Sequence, residues 1–196
     1  MATSKLSRWL LVLRAAGMTL GGTVLAGSVL AAESVPSGSS SIPAQWRAQK
    51  LDFTYTGFTA FYTCEGLESK VRFILLTLGA RNDAEVHAQA CDRASNKPNK
   101  IAWVQAKFST LAPADAGTVP KDTVQAAWKT VQISPNRPVE MGMGECELME
   151  QMRPMIEKAF TLRNTAYNVR CVPKQMSVAD YSLKTDVLQL VTPIAN

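Results

Sequence analysis

Apolar positions along the chain follow two periods. Leu67, Val71, Ile74, Leu75 and Leu78 are spaced i, i+4, i+7, i+8, i+11, one face of a 3.6-residue helix. Leu148, Met152, Met155, Ile156 and Ala159 repeat that spacing. Gly79 follows the last face residue of the first helix and supplies a left-handed stop. Pro154 falls inside the second helix, where it removes a backbone donor and predicts a kink. The rest alternates. Val86, Ala88 and Ala90 point one way, and Glu85, His87 and Gln89 the other, as in a half-buried strand. The run from Asp52 to Cys64 is rich in Phe, Tyr and Thr, which suit a pleated surface, with Gly57 marking a bend. Further strands are predicted from Ile101 to Leu111, Ala126 to Ile133, Ala166 to Val172 and Tyr181 to Val191.

These elements recur. Strand, Cys64, helix, strand, Cys91, strand is followed by strand, Cys146, helix, strand, Cys171, strand. Glu follows the first cysteine both times, at Glu65 and Glu147. Thr77-Leu78-Gly79-Ala80-Arg81-Asn82 answers Thr161-Leu162-Arg163-Asn164, shorter by Gly79-Ala80. Two β-α-β-β units, each with a helix stripe that cannot be hidden alone, predict one shared sheet. The expected fold is α+β: a two-layer sandwich, mainly antiparallel, with both helices on one face, in the ferredoxin-like neighbourhood.

The ends read differently. Residues 1–14 carry Lys5, Arg8 and Arg14 and no acid, and Ala15 to Ala32 is uncharged. Small residues close that stretch, giving a secretory signal over residues 1–32, cut after Ala31 or Ala32. A retained anchor is the competing reading, because eighteen uncharged residues just reach across a bilayer. Its four glycines and many alanines make the stretch only mildly apolar. Residues 33–50 include a Ser/Pro/Gly tract and read as a flexible linker. One domain is expected over residues 51–192.

Charge changes little. The formal net charge is +5, but three basic residues lie in the leader. From Glu33 onward 18 basic residues face 16 acidic ones, spread singly and forming no stripe for nucleic acid.

Four cysteines in an exported chain predict two disulfides, and the repeat selects Cys64–Cys91 and Cys146–Cys171. The close Cys or His spacings of zinc sites and the Cys-x-x-Cys of redox pairs are absent.

Catalytic signals are weak. His87 is the one histidine, on the polar side of its strand, and no Gly-x-Ser-x-Gly elbow exists. Glu65, Glu68, Glu145, Glu147 and Glu150 sit where helix-start acids favour the dipole. Gly142 and Gly144 read as a turn, not an anion cradle. Met141, Met143, Met149, Met152 and Met155 could hold copper through thioethers, but two lie on the buried stripe, so packing is expected. Phe53, Tyr55, Tyr62, Trp103 and Trp128 place aromatics on strands. An uncovered aromatic sheet face would mark a binding or dimer surface.

The segments Asp52-Phe53-Thr54-Tyr55-Thr56-Gly57-Phe58 through Val71, Gly144-Glu145-Cys146-Glu147-Leu148-Met149-Glu150-Gln151 and Arg170-Cys171-Val172-Pro173 resemble a group of small uncharacterised exported proteobacterial proteins. The resemblance covers most of the mature chain. It implies an envelope location and carries over no activity and no functional residues. The reading is a non-enzymatic periplasmic or secreted domain, with no catalytic, metal or cofactor residues. It binds a protein or small ligand through an open sheet face, or forms a homodimer. It meets no nucleic acid, and a membrane only through its signal. The alternative is an envelope enzyme using carboxylates or His87.

Overall fold

The computed structural model describes residues 40–115, 122–175 and 180–191. The leader and most of the Ser/Pro/Gly tract lie outside the described residues. The chain is α+β and mostly sheet. Strands β1 (Ile42–Thr56), β2 (Glu85–Gln89), β3 (Ile101–Pro113), β4 (Val124–Ile133), β5 (Leu162–Arg170) and β6 (Asp180–Leu190) form one antiparallel sheet. Its order is β2-β3-β1-β4-β6-β5. Helices α1 (Cys64–Thr77) and α2 (Cys146–Ala159) complete the fold.

The N-terminal boundary is a correction. Strand β1 begins at Ile42 and not near Leu51, so residues 42–50 are strand and not linker. Ile42, Ala44 and Trp46 alternate with polar neighbours, but Pro43 and the small alanines mute the period. Proline survives here because β1 is at its beginning.

Thr63 caps α1 by accepting the Gly66 amide at 3.0 Å. Its other end closes as a Schellman turn: Gly79, at φ 91°, bonds the Leu76 carbonyl, and Ala80 that of Leu75. The predicted stop therefore stands. Helix α2 has no glycine stop; Phe160 passes in extended conformation straight into β5. Pro154 lies within α2, and the nearby Met149 carbonyl takes the Tyr167 hydroxyl at 2.9 Å.

Both helix stripes share one core. Leu67, Val71, Ile74, Leu148, Met152 and Ile156 pack with Leu51, Phe53 and Tyr55 of β1 and Ala102, Val104 and Ala106 of β3. The phenyl rings of Phe108 and Phe160 stack at 5.7 Å. A second cluster uses the other side of β1. It holds Ala44, Leu111, Ala126 and Leu188, with Ile42, Trp46, Val124 and Trp128 against them. Two-residue alternation puts Ile42, Ala44 and Trp46 opposite Leu51, Phe53 and Tyr55.

Strands β1 and β3 pair from Ala44 to Thr56, whereas β1 and β4 pair only at Ile42, Pro43 and Ala44. In each half the first two strands flank the third, β3 between β1 and β2, and β6 between β4 and β5.

Candidate binding surface

The connection from β1 to α1 is a short loop tied down by hydrogen bonds from several elements. The Gly57 amide bonds the Lys100 carbonyl at 2.7 Å. The Tyr55 hydroxyl donates to the Ala60 carbonyl at 2.7 Å. Glu147 of α2 accepts the amides of Phe58 and Thr59 with one carboxylate oxygen, at 2.9 and 3.0 Å. One helical turn on, the Gln151 amide both accepts from the Thr56 N–H and donates to the Thr56 carbonyl, at 2.8 and 2.9 Å. From the far side, the Lys174 amide donates to the Thr59 hydroxyl at 2.9 Å. Glycine is required at position 57, because a Cβ would stand 2.0 Å from the Ala60 carbonyl oxygen.

Beneath the loop lies a buried polar cluster. Glu147 is 5% exposed. Glu145 accepts the Gly142 amide at 2.6 Å and pairs with Lys70 at 3.0 Å. Tyr181 donates to the Gly142 carbonyl at 2.7 Å. Tyr55 and Tyr62 meet edge to face at 5.2 Å. Burial first, then the charges of Glu145 and Glu147, push both phenols far above their ordinary value. Among the described residues, the other oxygen of Glu147 and the Tyr62 hydroxyl are buried without a hydrogen-bond partner.

A loop held this firmly presents apolar side chains to solvent. Phe58 and Phe61 are each 47% exposed. Ile101 pairs with Thr56 and Trp103 with Thr54, and they are 54% and 41% exposed. These four make up half of the large hydrophobic side chains exposed among the described residues. All four lie where β1 ends and β3 begins, grouped and not scattered singly.

The candidates from sequence divide accordingly. Cys64 and Cys91 are bonded at 2.07 Å, and Cys146 and Cys171 at 2.09 Å, the pairing expected from the repeat. His87 is exposed on β2, across from Gln105. No group of three or more His, Cys, Asp or Glu side chains suited to a metal ion occurs among the described residues. Met141, Met149 and Met152 are fully buried and fill core space, and only Met143 is well exposed. Phe53 and Tyr55 face the helices, so of the five strand aromatics it is Trp103 that stands out, on the face opposite the helices. Next to Trp103 that face is polar, with Gln105 donating to Asp52 at 3.0 Å and Lys50 pairing with Asp52 at 3.5 Å, while the second apolar cluster occupies it farther along β1.

Sequence reasoning missed Phe58 and Phe61, which lay inside a run read as strand as far as Cys64. The available signal was Gly57, a bend with a phenylalanine directly after it. It also read Glu147 as a helix-dipole acid, whereas its carboxylate anchors the loop. No protein-family model matches this chain, and neither a curated protein nor a solved structure matches it.

Proposed function

We propose that this chain is a non-enzymatic binding domain of the cell envelope that meets its partner at the corner of Phe58, Phe61, Ile101 and Trp103. The observation carrying this is the pinned loop: hydrogen bonds from five residues, Tyr55, Lys100, Glu147, Gln151 and Lys174, hold a loop whose two phenylalanines stand in water. Rigid, exposed aromatics lose little conformational entropy on binding, which is what contact hot spots require. A photo-crosslinking residue at position 61, expressed in living cells, tests it. Adducts are expected there and not from the same residue at position 184, on β6. Equal labelling at both, or none at position 61, removes the reading.

Export by a cleaved leader belongs to the same proposal. Two disulfides support an oxidising compartment, and no helix among the described residues is long and apolar enough to cross a membrane. Mass spectrometry of the native product should place its N-terminus at Ala32 or Glu33.

We further propose that the two halves arose by duplication of a β-α-β-β unit. The strand order supports this, since it reads the same from either edge once β1, β2 and β3 are matched to β4, β5 and β6. The spacing supports it as well: 82 residues separate Cys64 from Cys146, Trp46 from Trp128 and Arg81 from Arg163. Arg81 lies over the Trp46 ring at 5.6 Å and Arg163 over the Trp128 ring at 3.8 Å, the same pair in each half. Each half, with its third strand between the two that flank its helix, is the split β-α-β arrangement of ferredoxin-like domains.

A further inference from the structure

We propose that this corner docks on an anionic membrane surface; the proposal rests on reading the corner as the contact surface and names what it contacts. Three exposed lysines, Lys97, Lys100 and Lys174, are tied into the same end of the sheet. Lys100 has its ammonium 5.9 Å from the Phe58 ring centroid, and its carbonyl holds Gly57. Lys174 is hydrogen-bonded through its backbone to Thr59. Lys97 is held by the Asn99 side chain, and Asn99 bridges to Tyr62. None of the three forms an ion pair among the described residues. The neighbouring acids are engaged: Glu65 pairs with Arg93 at 3.2 Å, and Asp92 accepts the amides of Ala94 and Ser95.

Charge decides between lipid and protein as the occupant. Lysine is depleted at protein–protein contacts, where its strongly hydrated ammonium is costly to bury. At a membrane interface the same side chain lays its methylenes along the apolar layer and keeps its charge among the phosphates. Phenylalanine and tryptophan sit at that depth beside it. Apolar insertion alone binds weakly and reversibly, and adding a basic cluster makes attachment stable. The corner carries both signals. The sequence reading confined membrane contact to the leader; the folded domain adds a second region suited to it.

The test uses the protein purified from the cell envelope with its native N-terminus. It is sedimented with vesicles of phosphatidylglycerol and phosphatidylethanolamine, and separately with phosphatidylcholine alone. Wild type, Phe58→Ser/Phe61→Ser and Lys97→Gln/Lys100→Gln/Lys174→Gln share that N-terminus, so differences between them report the corner. Wild type should bind the anionic vesicles, and rising salt should weaken it. The lysine variant should lose roughly fivefold in partitioning for each lysine. The phenylalanine variant should lose about tenfold or more. A second measurement leaves the loop intact: brominated lipid should quench part of the tryptophan emission, the part that Trp103→Phe removes. Equal binding by all three proteins, no preference for anionic vesicles, or no such quenching overturns the proposal. If vesicle binding fails while crosslinks at position 61 lead to a protein, the contact surface stands and the lipid assignment falls. If both fail, the surface reading falls with it.

Discussion

Pro43 pairs with Gln125 at the point where the two halves of the sheet meet. On either side, Ile42 pairs with Ala126 and Ala44 with Val124. Each of these pairs becomes the other when the halves are exchanged, so under the proposed duplication a pseudo-twofold axis passes between Pro43 and Gln125.

That symmetry has a measurable consequence. Ala44 and Ala126 are both fully buried in the second cluster. Ala44→Leu and Ala126→Leu should each destabilise by about 1–3 kcal/mol through overpacking, and by similar amounts. Urea unfolding of the two variants checks this. A large cost at one position with none at the other would break the equivalence.

Glu147 should matter through its loop contacts. Glu147→Ala strands two amides, Phe58 and Thr59, at a cost of roughly 2–4 kcal/mol in all. Glu147→Gln keeps an acceptor for them and removes a buried charge, so it should cost distinctly less. Thermal melts of both variants decide it. Equal losses would mean that the charge, and not the acceptor, holds the loop.

The tyrosines give a pH test. The chain has four, Tyr55, Tyr62, Tyr167 and Tyr181, and burial is the main cause raising every one above the ordinary value of 10.0. Between the ordinary and the raised value the native state binds more protons than the unfolded chain. Stability from this source is therefore complete below about pH 10 and falls as pH rises further. Ultraviolet titration should show almost no phenolate until the protein unfolds, then all four ionising together. Smooth ionisation centred near pH 10 in folded protein would contradict the burial described above.

The disulfides close loops of 27 and 25 residues in sequence separation. Cys64→Ala/Cys91→Ala and Cys146→Ala/Cys171→Ala should each lower stability by about 3 kcal/mol. Denaturant midpoints of the two double variants, measured without reductant, provide the comparison. A negligible change for either would show that its loop is already held by packing.

Much of this fold was legible because helices announce themselves in spacing. The stripe from Leu67 to Leu78 and the Gly79 stop need only local information. The cysteine pairing followed from comparing the halves. The start of β1 was hidden because Ala44 and Ala48 carry too little apolar weight to show alternation, and because the strand is justified by distant partners, Ala126 and Leu111. The proposed contact corner was hidden for a related reason. Phe58 and Tyr55 look alike in a string of aromatic residues. What separates them is Glu147, close in space and 89 residues from Phe58 along the chain, whose carboxylate turns the backbone outward.

The seam between β1 and β4 is only three residue pairs long, so backbone pairing contributes little to joining the two halves of the sheet. Either side of it, the longer β1–β3 and β4–β6 ladders and one covalent bridge per half keep three strands and a helix together. What bridges the seam is the apolar core that both helices share and the grip of Glu147 and Gln151 on the other half's loop, so the two halves should come apart only together with that core and not along the seam alone.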